Sequence, residues 1–266
     1  MAAGEPAWFP GLAEALVRRF WTTETRIDSR TYRTAAWLGE PDDGSAKRVP
    51  GQASMSVESL PPSLGDRFAA GGFAEDVPAM AQAVAAALTR LGGAGPGDSV
   101  SQLVRSVHRV RAPGAGYDFS HSEPGIPFSV LLSNPAGERH ADLRLAESLL
   151  HEAMHLQLTL IEREASMVGV LPGTGYSPWQ GRERPVQGLL HGLYVFTAID
   201  QWLRLVGADT SPDREGSLYV ERRLAEIGAE VREVANLATS PALTALGRDL
   251  VEYLLAEFGC RAAPSL

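Results

Sequence analysis

The stretch LAESLLHEAMHLQL, residues 145–158, carries the side chains best suited to chemistry: His151 and His155 four apart, with Glu152 beside the first. On a helix, positions four apart share a face one turn up, so two imidazoles can point at a single ion. Glu152 then stands about 100° round the axis from His151, near enough to reach a water bound to that ion. The pair is only part of a catalytic site, because a metal that does chemistry typically has three protein ligands and keeps positions open for water or substrate.

The four other histidines compete for the third place, together with nearby carboxylates. His108 falls in an expected strand and His121 and His140 in expected loops, where a histidine ordinarily serves as a surface or hydrogen-bonded group. Glu162, two turns past His155 on the same helix, and Glu164 and Glu183 offer carboxylates, and spacing singles out none of them. His191 is different: it lies in PVQGLLHGLYVFTAIDQWL, the most apolar helix, where an imidazole needs a partner to offset its desolvation. Gly188 and Gly192 flank it despite their poor helix propensity, which predicts a close approach by another backbone or by a ligand. Just upstream, GYSPWQGRERPV (175–186) delivers Arg182 and Arg184 to the start of this helix. A guanidinium fixed beside a metal is a fork for a carboxylate, whereas a solvated surface loop would leave both arginines in water.

Three blocks, HSEPG (121–125), ESLLHEAMH (147–155) and the run from Tyr-Ser-Pro-Trp (176–179) through Arg184-Pro185 to His191, resemble the HExxH-type peptide-modification proteins. These are encoded with ribosomally made peptides, and members are similar to iron- and 2-oxoglutarate-dependent peptide β-hydroxylases. The resemblance runs from Ser120 to Phe196, roughly a third of the chain. It implies Fe(II) on His151, His155 and His191, 2-oxoglutarate as cosubstrate, and a precursor peptide hydroxylated at a β-carbon, with Glu152 orienting a ligand or a bound water. The family often has Arg directly after Ser-Pro-Trp, where this chain has Gln180, so Arg184, ahead of Arg182, is the better match for the group that holds the 2-oxoglutarate carboxylate. Two His and one carboxylate is the common ligand set for this chemistry, which leaves a carboxylate in place of one histidine open. The same residues also suit a zinc metalloprotease with Glu152 as general base. A dicarboxylate cosubstrate, unlike a peptidase, needs the Arg184-Pro185 to His191 block. A non-catalytic peptide-binding homologue is the third reading, against which the intact His151, Glu152, His155 and His191 argue.

These groups require a frame. At 266 residues and 44% hydrophobic, the chain can bury one large core or two closely packed lobes. A net charge of -8 with scattered Lys and Arg excludes nucleic acid as the expected partner. The lone Cys260 forbids an internal disulfide or a thiolate cluster, shows no neighbouring base, and suits a reducing compartment. With neither a signal sequence nor a spanning segment in view, the expected location is the cytoplasm. Apolar spacing predicts helices over 12–37, 77–91, 142–166, 186–206, 212–238 and 241–258, with Pro185, Pro212 and Pro241 at their starts and Gly207 and Gly259 as two stops. Strands are expected around 104–110 and 126–133, and a loop over 47–66. Tyr194, Phe196 and Trp202 read as core, and 220–234 as a solvated face with local ion pairs. The expected fold is therefore α+β, predominantly helical with a small sheet packed against the HExxH helix, zincin-like by analogy. Residues 1–100 are expected to form a mostly helical peptide-binding region and 101–266 the metal-binding catalytic region, together one compact unit.

Overall fold

In the computed structural model the chain is α+β, mostly helical with a small mixed sheet and a separate two-stranded one. The structure describes residues 5–28, 46–52, 54–58, 77–92, 95–112, 114, 116–122, 128–208 and 214–262. The chain divides into two compact units, residues 10–157 in one and residues 1–9 with 158–266 in the other. The division falls inside the HExxH helix, while the expected boundary between residues 100 and 101 lies within the first unit.

The first unit opens with α1 (Pro10–Asp28) and holds a five-stranded sheet of β1 (Ala46–Arg48), β2 (Ser56–Glu58), β3 (Ser106–Arg109), β4 (Ser120–Ser122) and β5 (Ser129–Leu132) in the order β1-β2-β3-β5-β4. The three inner strands run parallel, and β1 and β4 pair antiparallel at the edges. Because successive residues alternate faces, Val57, Val107 and Val130 line up across one face, all fully buried. Serines occupy the other face in register, Ser56, Ser106 and Ser129, with Glu58 and His108 beyond them. A buried carboxylate is costly unless hydrogen-bonded. Glu58 accepts from the Ser56 hydroxyl at 2.6 Å and the Ser106 hydroxyl at 2.9 Å.

β1 and β2 lie in the stretch expected to be a loop. Three residues each is too short for alternation to register, and their backbone groups are satisfied only by pairing within the sheet. Pro50-Gly51 turns the chain between them, with Gly51 at φ 77° and the Gln52 amide donating to the Val49 carbonyl at 3.0 Å. Of the expected helix over 12–37, residues 29–37 lie outside the described residues. Residues 77–91 form α2 (Val77–Leu91) as expected, whereas the seven-residue α3 (Gly97–Leu103) was not anticipated. His121 sits on β4, not in a loop, and Glu123, Pro124 and Gly125 of the HSEPG block lie outside the described residues.

The HExxH helix, α4 (Ala141–Glu164), is anchored at its first turns. Arg144 donates to both carboxylate oxygens of Asp118 at 2.7 Å and to Glu138 at 2.6 Å, and Arg90 donates to Asp142 at 2.5 Å. The Arg144 side chain is only 15% exposed, so its bidentate pair is shielded from water more than a surface ion pair.

The second unit contains β6 (Thr174–Ser177) and β7 (Arg182–Pro185), then α5 (Val186–Ala208), α6 (Arg214–Glu233), a 3-10 turn at Ala235–Thr239 and α7 (Ala245–Ala262). Residues 174–185, which carry Arg182 and Arg184, form a β-hairpin. Its backbone pairing closes around the turn at residues 178–181, where Gly181 takes φ 61°. Pro185 immediately precedes α5 as anticipated, Pro212 lies outside the described residues, and Pro241 falls in a turn four residues before α7, not at its first position. Gly207 and Gly259 sit inside the last turns of α5 and α7, which run past them. Tyr194 and Trp202 are core residues as expected, and Arg222 and Arg223 pair with Glu226 on the exposed face of α6. The chain start is clipped to this unit: the Ala7 amide donates to Gln201 at 2.6 Å, Phe9 stacks on Tyr194, and the Tyr253 hydroxyl donates to the Glu5 carbonyl. Among the described residues no helix is long and apolar enough to cross a membrane.

Replacing Arg144 by Ala strips three hydrogen bonds from the start of α4 and leaves Asp118 without its partner. The expected loss is about 1–3 kcal/mol of stability in urea denaturation. An unchanged midpoint would show that water screens the pair.

Candidate metal centre

Helical spacing carries His151 and His155 onto one stripe of α4, while Leu149, Leu150, Ala153 and Met154 turn to the buried side. The two Nε2 atoms stand 3.1 Å apart, with the rings edge to face at a centroid distance of 4.8 Å. Two nitrogens bound at ordinary lengths to one tetrahedral or octahedral ion are separated by roughly 3.0–3.4 Å. The pair therefore fits two bonds to one metal. At this separation one ring must donate and the other accept, and a metal ion would take the place of the shared proton. Glu152 is 3% exposed and its Oε1 lies 3.9 Å from His151 Nε2, a carboxylate held beside the pair.

His191 belongs to a different cluster, within the second unit. Its Nε2 is 3.0 Å from Glu162 Oε2, and Gln187, four residues earlier on α5, donates its Nε2 to the same oxygen at 2.9 Å. Glu162 and His191 are 13% and 14% exposed at their side chains. Burial pushes the Glu162 carboxyl up, but the hydrogen bonds from His191 and Gln187 and the charge of His191 outweigh it, so the net pKa is lowered. Among the described residues no three His, Cys, Asp or Glu side chains form a group that could hold a metal ion. His151 is brought to His155, and His191 to Glu162.

The remaining candidates are dispersed. His108 is fully buried on β3, His140 takes φ 55° just before α4, and Glu164 and Glu183 are exposed. Arg182 is exposed on β7, whereas Arg184 is half-buried. The close approaches forecast at Gly188 and Gly192 exist, but side chains make them, not a backbone or a ligand. A Cβ at Gly188 would lie 3.1 Å from Arg184 Nε and 3.2 Å from its Nη2, so the guanidinium rests on the bare first turn of α5. A Cβ at Gly192 would lie 2.3 Å from the Trp179 ring, which also stacks on Phe196 at 5.2 Å and 12°. Phe196 is thus half of an aromatic pair beside His191, not core like Tyr194 and Trp202. Among the described residues the Arg184 guanidinium has no hydrogen-bond or ion-pair partner.

Sequence reasoning missed Trp179 and Gln187. Gly192 was the signal for the first, and the four-residue spacing from Gln187 to His191 for the second, but neither names its partner. No protein-family model matches this chain, and no curated protein matches it.

Two outcomes follow from these contacts. Gly192→Ala drives the Trp179 ring off the helix and should shift tryptophan fluorescence to the red and weaken near-UV circular dichroism; unchanged spectra would mean that the hairpin gives way without moving the ring. Because the folded Glu162 carboxyl titrates below its ordinary value of 4.5, its network stabilises the fold above that pH and loses this contribution as pH falls through the lowered value. Glu162→Gln should flatten that part of the acid stability curve, measured by urea denaturation at stepped pH, and an identical curve would remove Glu162 from the acid limb.

Proposed function

We propose that this chain is an Fe(II)- and 2-oxoglutarate-dependent hydroxylase that modifies the β-carbon of a side chain in a ribosomally made precursor peptide, in the cytoplasm. His151 and His155 hold the iron with His191 as the third ligand, and Arg184 receives the distal carboxylate of 2-oxoglutarate. Iron with this cosubstrate supplies oxidation of an unactivated C–H bond by dioxygen, one oxygen atom going to the peptide and the other to succinate as carbon dioxide leaves. The chain's own contributions are orientation and charge. Arg184 offers a planar fork already seated on Gly188, which reduces the freedom lost when a carboxylate binds. Glu152, buried against His151, orients a ligand or a bound water.

The observation that carries this reading is Arg184, a half-buried guanidinium with no anionic partner among the described residues, one turn before the Gln187–His191 face of α5. A half-buried charge left unpaired is costly unless something anionic joins it. The rival is a zinc metalloprotease of zincin-like arrangement, and one observation favours it: Glu152 lies buried at 3.9 Å from His151, in a unit whose small mixed sheet precedes the HExxH helix.

The test is anaerobic loading with Fe(II), then 2-oxoglutarate and oxygen, with succinate measured in the presence of candidate precursor peptides. Iron-dependent succinate and a peptide heavier by one oxygen atom are expected, both lost in His191→Ala. Arg184→Ala should raise the KM for 2-oxoglutarate on the order of 10- to 100-fold, the size of one charge-assisted hydrogen-bonded pair. Absence of succinate, together with zinc-dependent peptide cleavage that disappears in Glu152→Gln, would establish the protease instead.

A further inference from the structure

We infer that Arg105 and Trp21 form an anion-binding seat in the first unit, one that takes a carboxylate of a bound peptide. Arg105 stands two residues before Val107, so its side chain leaves the sheet on the valine face. Its backbone is pinned from both sides: the Arg105 amide donates to the Phe128 carbonyl at 2.8 Å, and the Ser56 amide donates to the Arg105 carbonyl at 2.9 Å. From α1, Trp21 lays its ring over this corner, 5.4 Å from the Arg105 guanidinium carbon and edge to face with Phe128 at 5.2 Å. Phe128 takes φ 59°, a backbone region that a bulky residue enters only at a cost. Its carbonyl is held there by the Arg105 and Ser106 amides, so the strained residue is the one that supports Trp21.

A guanidinium resting on an indole face is already held flat, so it loses less freedom when it binds. Among the described residues the Arg105 side chain makes no hydrogen bond or ion pair, and of its three nitrogens only Nε is wholly enclosed, which leaves both Nη donors open. Burial lowers its pKa, and no carboxylate among the described residues raises it again. A cation stripped of part of its hydration and given no counter-charge is stabilised by an anion that reaches the Nη pair. One planar fork with parallel N–H groups matches a carboxylate, whereas a phosphate carries more charge and is ordinarily gathered by several donors. A polyanion is disfavoured further by the net charge of -8. That the carboxylate belongs to a substrate peptide rests on the peptide-modifying function proposed above; the seat itself does not.

The test uses the metal-free full chain labelled with nitrogen-15 and follows the indole N–H signal of Trp21, identified by its loss in Trp21→Phe. Three short acetylated peptides are titrated: one with a single Glu and an amidated end, one with Gln there and a free terminal carboxylate, and one with Gln and an amidated end. A saturable shift is expected with a carboxylate peptide and not with the neutral one, and the peptide that binds tells a side-chain carboxylate from a terminal one. Arg105→Gln should weaken this binding about 10- to 100-fold, the size of one charge-assisted pair. Arg105→Lys, which keeps the charge and loses the fork, should fall between the two, and it serves if Arg105→Gln fails to fold. No saturable shift with either carboxylate peptide, an equal shift with the neutral one, or binding unchanged in Arg105→Gln overturns the proposal. Because no metal or cosubstrate enters this titration, a failure to form succinate leaves the seat standing. If binding holds but Arg105→Gln leaves the KM for a hydroxylated peptide unchanged, the substrate falls as its occupant.

Discussion

Holding two imidazole nitrogens 3.1 Å apart in a half-exposed position is the demand around which α4 is organised. A helix meets it through its own geometry, since a four-residue step returns nearly to the same face. That geometry is useful only if the helix neither frays nor rotates. Rotation is opposed by the apolar residues packed on its other side, Leu149, Leu150, Ala153 and Met154, none of them exposed. Fraying is opposed by the clamp on its first turns, where Arg144 grips Asp118 and Glu138, and Arg90 grips Asp142. Both devices lie in the same unit as the histidine pair, so the pair is preorganised by its immediate surroundings.

The second unit uses bareness where the first uses packing. Gly188 and Gly192 lower the helix propensity of α5, yet each leaves a seat of side-chain size on its surface. Arg184 lies in one and the Trp179 ring in the other. Both residues come from the hairpin that precedes the helix, so its two glycines hold the hairpin's cation and indole in place. On the neighbouring stripe, one residue earlier in each turn, Gln187 and His191 are drawn to Glu162. The result is a compact series of a guanidinium, a hydrogen-bonded imidazole and an aromatic pair along two turns of one helix.

Buried polarity is also managed in the first unit, by a different route. One face of the small sheet is valine and the other is serine, glutamate and histidine, although both are buried. Glu58 survives there because two hydroxyls donate to it, that of Ser56 from its own strand and that of Ser106 from the neighbouring β3. The Ser106 bond also ties β2 to β3 in one register, since a slip by one residue would turn the serines and Glu58 to the valine face.

The sequence by itself determined the long helices, the spacing of the histidine pair, the apolar character of the helix around His191 and the need for something to fill the space beside its glycines. Each of these depends on a period or a composition that a dozen or more residues repeat, and local chemistry is enough to read it. Tertiary structure alone decided the three-residue strands β1, β2 and β4, the hairpin over 174–185, and the partners of His191 and of the two glycines. A three-residue strand contains too few positions to show alternation, and it persists only through backbone bonds to strands far away in the chain. Glu162 and His191 are twenty-nine residues apart, and nothing in either segment names the other. Their meeting depends on how two helices pack within one unit, which is a property of the fold and not of any stretch of sequence.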